Sequence, residues 1–144
     1  MKEIQIPKLE NSKQFYIYVL ELVDGKYYVG KTHHLNDRIR GHLFNSGATW
    51  TKIYPPIKFE KIYVLNDVLD EDKIVKRYMQ TKGINNVRGG AYCQENLPKC
   101  QQQALVKEMI HSTGRCFYCY GEHFITVSYY FYYFYYFNFL FFIY

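Results

Sequence analysis

The sequence predicts a small α+β domain, a three-stranded antiparallel sheet flanked by helices, followed by a C-terminal helix and a low-complexity aromatic tail. Three observations predict it. Two runs of aromatic and branched residues, 15–23 and 26–30, are joined by Asp24-Gly25, a tight-turn pair. Apolar residues recur at helical spacing in two separate places, at Leu35, Ile39 and Leu43 and again at Ile74, Val75, Tyr78 and Met79. A third β-rich run, 59–65, falls between those two helices.

Taken in order, residues 1–13 are polar and form a loose arm. Residues 15–23 and 26–30 make a hairpin, because both central positions of its turn need positive φ and Asp and Gly supply it. The first helix follows and ends at 45–47, and a loop or short helix around Trp50 stops at Pro55-Pro56. After the third strand, Asp67 or Asp70 can cap a helix that runs through Met79 and stops near Gly83. Residues 85–92, with Gly89-Gly90, read as a structured loop, and residues 98–112 as a further amphipathic helix. The domain organisation is 14–92 for the compact domain, 93–128 for the helix and a cysteine-bearing segment, and 129–144 for the tail.

The net charge of +5 is modest, but the positive charge is clustered. Lys31, His33, His34, Arg38, Arg40 and His42 are opposed locally only by Asp37. Such a cluster suits a polyanionic partner, since each cation set on a phosphate releases condensed counterions; a solvated helix face is the plain alternative. The N-terminus has no apolar stretch of the secretory kind, so an intracellular protein is expected, and its four cysteines read as thiols or metal ligands rather than disulfides.

Glu71 lies three, four and seven positions before Ile74, Val75 and Tyr78, so it shares the core-facing stripe of its helix. An acid there is costly unless paired, hydrogen-bonded or metal-bound. It suits a Mg²⁺ ligand at a cleft edge, or a first-turn Glu held by the helix dipole. Asp72 and Lys76 share a different face and read as solvent-exposed. Arg38 and His42 lie one turn apart and can reach one spot beside the sheet. The Arg fork can grip a phosphate and His can move a proton, although a solvated basic pair is the ordinary reading.

Tyr18 and Tyr28 lie on adjacent strands. A lone Tyr is a poor base, with an unperturbed pKa of about 10, and acts only where cations such as Lys31 lower that value. A two-residue Asp24-Gly25 turn would set Tyr18 opposite Lys31 and Glu21 opposite Tyr28, with the two tyrosines on opposite faces. They share a face only if the loop gains a residue or a bulge intervenes.

Tyr16-Ile17-Tyr18, Tyr28-Val29-Gly30, Arg38, His42 and Glu71, in this order, resemble the GIY-YIG nuclease domain over roughly residues 14–92. Tyr16 stands where the family usually has Gly, which crowds the strand start. The segment 71–92 is similar to the GIY-YIG proteins of large DNA viruses. The resemblance implies a metal-dependent endonuclease that hydrolyses phosphodiester bonds, in DNA rather than RNA by preference. It implies Tyr18, Tyr28, Arg38, His42 and Glu71 as the catalytic set, with Glu71 holding one Mg²⁺ or Mn²⁺. Tyr18 would help deprotonate the attacking water, Arg38 and Lys31 would stabilise charge on the phosphate, and His42 would assist proton transfer. Lys31, Arg40 and Asn86 would contact nucleic acid. The alternative of the same fold is a nucleic-acid-binding module that has lost catalysis.

Some relatives carry a zinc knuckle after this domain. Here Cys116 and Cys119 are followed by His123 one residue too soon, and Ser128 stands where a fourth ligand would be. A structural zinc site takes four ligands, so these three candidates describe a damaged knuckle, and no zinc is expected. From Phe124 to Tyr144 there is no charged residue, a span long enough to cross a bilayer. Against a membrane anchor, seven tyrosine hydroxyls from Tyr129 onward would need partners in hydrocarbon. A degenerate remnant is the leading reading of the tail and a membrane tether the minor one.

Overall fold

The computed structural model describes residues 14–44 and 46–115, together with Ile4, Ile6 and Pro7. Most of the N-terminal arm, the zinc candidates Cys116, Cys119 and His123, and the aromatic tail lie outside the described residues. The chain divides into two units, residues 1–99 and 100–144.

The first unit is built on β1 (Tyr16–Leu22), β2 (Tyr27–Thr32), α1 (Leu35–Leu43), α2 (Thr49–Ile53), β3 (Pro56–Val64), α3 (Asp70–Lys82) and β4 (Val87–Gly89). The α+β class holds, but the sheet has four strands rather than three and is mixed rather than antiparallel. Its order is β3-β1-β2-β4, with β1 antiparallel to β2 and β3, and β4 parallel to β2. The fourth strand comes from the segment read as a loop. Three residues are too few to show a strand pattern, yet all three are buried. Gly89 (φ 152) permits the close approach, because a Cβ there would run into the Val29 carbonyl. The Arg88 guanidinium, buried on the same strand, donates to the carbonyls of Ile84, Val87, Gln94 and Glu95 and stacks 4.6 Å from the Trp50 ring centroid. The bonds to Ile84, Gln94 and Glu95 tie the loops on either side of β4 to the sheet edge.

The hairpin turn decides the register. Val23, Asp24 and Gly25 form a 3-10 turn, one residue longer than the two-residue form, with Asp24 (φ 58) and Gly25 (φ 65) both left-handed. The Leu22 N–H donates to the Lys26 carbonyl at 2.7 Å. Tyr18 therefore pairs with Gly30 and Leu20 with Tyr28, which corrects the pairing that a two-residue turn predicts. The shift by one residue puts Tyr18 and Tyr28 on the same face.

That face packs Tyr18, Leu20, Leu22 and Tyr28 against Leu35 and Ile39 of α1 and Trp50 of α2. The Trp50 indole N–H donates to the Tyr27 carbonyl at 3.1 Å and pins α2 to the sheet. The opposite face carries α3, whose Ile74, Val75 and Met79 are buried and whose Tyr78 ring lies 5.8 Å from that of Tyr27. Leu69 occupies the N-cap of α3 without a side-chain bond, so neither Asp67 nor Asp70 caps it. Asp70 instead accepts from the N–H groups of Asn66 and Asp67. Gly83 (φ 94) ends α3, as expected.

The helix α4 (Lys99–Ser112), which belongs to the second unit from Cys100 onward, closes at Thr113-Gly114, with Gly114 at φ 72. Among the described residues no helix is long and apolar enough to cross a membrane.

Candidate active site

On the α1 face, Tyr18, Tyr28, Arg38 and His42 come together. The one-turn spacing on α1 aims both Arg38 and His42 at the sheet. The Tyr18 hydroxyl lies 2.7 Å from His42 Nε2. The Arg38 Nε–H donates to the Tyr18 oxygen at 3.1 Å, and the Arg38 charge also acts on Tyr28. The Tyr28 and His42 rings are 4.9 Å apart between centroids. Tyr18 can lie flat here only because its partner is Gly30: a Cβ on Gly30 would sit 2.5 Å from the Tyr18 oxygen and 2.7 Å from the ring carbon that bears it.

His42 is fully buried, so its ring needs a partner on both nitrogens. The second is Thr51, fully buried on α2, whose Oγ1 lies 2.8 Å from His42 Nδ1 and 2.8 Å from the Ala48 carbonyl oxygen. Gly47 lets the α1–α2 loop close over this pair, since a Cβ there would strike the His42 ring. Gly47 is legible in the sequence only as part of the stop after the first helix, and Thr51 carries no signal there. Thr51 has no partner at a recognisable spacing, because it meets His42 across a loop.

Electrostatics separate these groups. Burial raises the Tyr18 pKa well above its ordinary value; the Tyr28 hydroxyl adds to the rise, and the Arg38 charge and hydrogen bond oppose it without winning. Tyr28 is raised for the same first reason. The condition for a tyrosine to act as a base, a pKa lowered by nearby cations, is not met in this state: Arg38 lowers the Tyr18 value, but desolvation outweighs it. His42 moves the other way, pulled down to about 4 by burial and then by the Arg38 charge. At neutral pH it is an uncharged imidazole beside a protonated phenol.

The second cluster lies at an open corner of the sheet. β2 continues to Thr32 past Val29, its last pair with β4, while the chain turns away at Gly90. A cleft of about 350 Å³ opens there, lined by Tyr28, Lys31, Glu71, Asp72 and Cys93 with the Gly90-Ala91 turn. Tyr28 thus belongs to both clusters. Glu71 is mostly buried, and its carboxylate faces Lys31 Nζ at 3.5 Å. Asp72 is not the solvent-exposed residue expected from its helical position. Its Oδ1 accepts from the Ala91 N–H at 2.9 Å and so fastens the turn that walls the cleft.

Two candidates stand apart. Arg40 is exposed and, two residues from Arg38, projects from the other side of α1. Asn86 is engaged at the far end of α3, where its Nδ2 donates to the Lys82 carbonyl at 2.7 Å and its Oδ1 accepts from Lys26 Nζ at 2.8 Å. Neither bond reaches the tyrosine–histidine cluster.

The acidic donors at this cleft are carboxylates, the ligand type of hard cations such as Mg²⁺. Among the described residues no group of three or more His, Cys, Asp or Glu side chains converges. Of the two cleft carboxylates, Asp72 has its Oδ1 engaged by the Ala91 N–H, which leaves Glu71 as the better-placed ligand for an ion that keeps most of its water.

Residues 14–71 match the family model of the GIY-YIG catalytic domain, a nuclease family. The chain is 35% identical over 54 residues to a UPF0213 protein of Bacillus cereus, covering 38% of this chain and 55% of the relative. It is 34% identical over 50 residues to a UPF0213 protein of Xanthomonas campestris pv. campestris, covering 35% and 49%. It is 37% identical over 46 residues to one of Xanthomonas axonopodis pv. citri, covering 32% and 45%. The chain spans about half the length of the curated relatives it matches. Nothing in these relatives bears on the likeness to proteins of large DNA viruses. No solved structure matches the chain.

Proposed function

We propose that the GIY-YIG segment of this chain is a metal-dependent endonuclease that hydrolyses phosphodiester bonds in DNA. The observation that carries the reading is the placement of Tyr28, which joins the Tyr18–Arg38–His42 cluster to the cleft holding Glu71 and Lys31. A phosphate seated in that cleft would meet a carboxylate, a lysine and a tyrosine, with an arginine behind them.

Glu71 would hold Mg²⁺ or Mn²⁺, which when bound supplies Lewis-acid polarisation of the scissile phosphate. Glu71 would then give up its contact with Lys31, freeing that ammonium for a phosphate oxygen. Arg38 keeps its charge at any working pH, because against the opposing effect of burial Tyr18 and Tyr28 raise its pKa, and it would stabilise charge developing on the phosphate. Tyr18 does not act as a preformed phenolate. Its oxygen would accept a proton from the attacking water as its own proton passes to His42 Nε2, so the pair works as a relay. His42 suits the receiving end because it is neutral at pH 7.

The test is nicking of supercoiled plasmid by the full chain. Cleavage in Mg²⁺ or Mn²⁺ that stops with EDTA supports the reading. Tight DNA binding with no cleavage in either metal would replace it with a binding module of the same fold.

A further inference from the structure

We propose that Thr51 is a positioning residue: it fixes His42 as the tautomer with its proton on Nδ1, leaving Nε2 bare to take the proton of Tyr18. The inference rests on the relay just described and adds a residue to it.

The hydrogen-bond chain has a direction set from its end. The Ala48 carbonyl cannot donate, so the 2.8 Å contact with Thr51 Oγ1 needs the Thr51 hydrogen between them. With its hydrogen committed there, Thr51 Oγ1 meets His42 Nδ1 at 2.8 Å as an acceptor, and Nδ1 carries the proton. Nε2 is then an acceptor for the Tyr18 O–H at 2.7 Å. The Tyr18 oxygen in turn accepts from Arg38 at 3.1 Å.

The opposite tautomer fails at both ends. Thr51 would donate to Nδ1, and two oxygens 2.8 Å apart would face each other without a proton. His42 Nε2–H and Arg38 Nε–H would both donate to Tyr18, whose own hydrogen would find no further acceptor among the described residues. A buried hydroxyl hydrogen left unpaired costs about 1–3 kcal/mol. Only the Nδ1–H form satisfies Arg38, Tyr18, His42, Thr51 and Ala48 at once.

The consequence is chemical. In the relay, one O–H bond of water breaks and a new O–H forms on Tyr18, the original Tyr18 O–H breaks, and an N–H forms on His42 Nε2. The imidazolium so produced keeps its Nδ1–H on Thr51. With the proton on Nε2 instead, the ring has no lone pair to offer Tyr18.

The experiment is nitrogen-15 NMR of histidine-labelled full-length protein near pH 7, with the His42 signals identified by their loss in His42→Gln. The wild type is expected to show a protonated Nδ1 and a bare Nε2 at His42. Thr51→Ser, which keeps the hydroxyl, should preserve that pattern. Thr51→Val, which keeps the shape, should move the proton toward Nε2 and slow plasmid cleavage about a hundredfold or more, the low end for a misplaced proton-transfer group. A His42 proton on Nε2 in the wild type overturns the inference even if Thr51→Val does not fold. So does a folded Thr51→Val protein whose tautomer is unchanged. A wild type that shows the Nδ1–H form but never cleaves removes the nuclease reading and leaves the tautomer assignment standing.

Discussion

Tyr18 lies directly across the β1–β2 pair from Gly30, and its ring covers the space where any larger residue would place a Cβ. The glycine that closes the second tyrosine motif is thereby explained by the tyrosine that closes the first. One makes room for the other, and the hydroxyl so placed reaches His42.

Gly30→Ala is therefore expected to destabilise the fold by about 1–3 kcal/mol, the range for overpacking a tight core, and to push Tyr18 off His42. Urea unfolding measures the first effect. A Gly30→Ala protein as stable as wild type would mean that the Tyr18 ring is free to move aside.

Burial of neutral His42 makes stability depend on pH. Its pKa is depressed in the fold from 6.5 to about 4, so between those values the unfolded chain binds more protons than the folded one. Stability is then complete above about pH 6.5 and is lost as pH falls toward 4. Between pH 7 and pH 5 the loss from this group should be about 2 kcal/mol. Unfolding of wild type and His42→Gln at both values isolates it from the other histidines. Equal losses in the two proteins would contradict the assignment.

Asp72→Ala should release the Ala91 N–H and loosen the turn that walls the cleft. A stability cost of about 1 kcal/mol is expected, with faster hydrogen exchange confined to the Gly90-Ala91 region. Asp72→Asn keeps an acceptor and should change neither by much. Unaltered exchange at Ala91 in Asp72→Ala would show that the turn holds itself.

Much of this was legible because periodic patterns are local. Leu35, Ile39 and Leu43 marked α1, Ile74, Val75 and Met79 marked α3, and Gly83 marked its end. Motif spacing singled out Tyr18, Tyr28, Arg38, His42 and Glu71 as candidates, and the fold brings the first four together and sets Glu71 in a cleft beside Tyr28. What escaped depends on contacts across the chain. The hairpin register turned on one residue of loop length, which Asp24-Gly25 alone does not specify. β4 is recognisable only by its partner β2. Thr51 and Asp72 act through a single hydrogen bond each to a distant backbone or ring, and no spacing announces such a bond.

Arg38→Ala should slow cleavage by roughly two or more orders of magnitude, by analogy with loss of one preorganised electrostatic donor, while the fold survives because Arg38 is largely at the surface. Single-turnover rates at saturating protein measure this without confusion from weaker binding. A loss confined to affinity would make Arg38 a phosphate anchor and nothing more.

The most direct test pairs wild type with Glu71→Ala on supercoiled plasmid in Mg²⁺ or Mn²⁺, with DNA binding measured in parallel. The account predicts that wild type nicks the plasmid, and that Glu71→Ala does not while binding DNA at least as well, having lost a negative charge. A Glu71→Ala protein that cuts at the wild-type rate would contradict it.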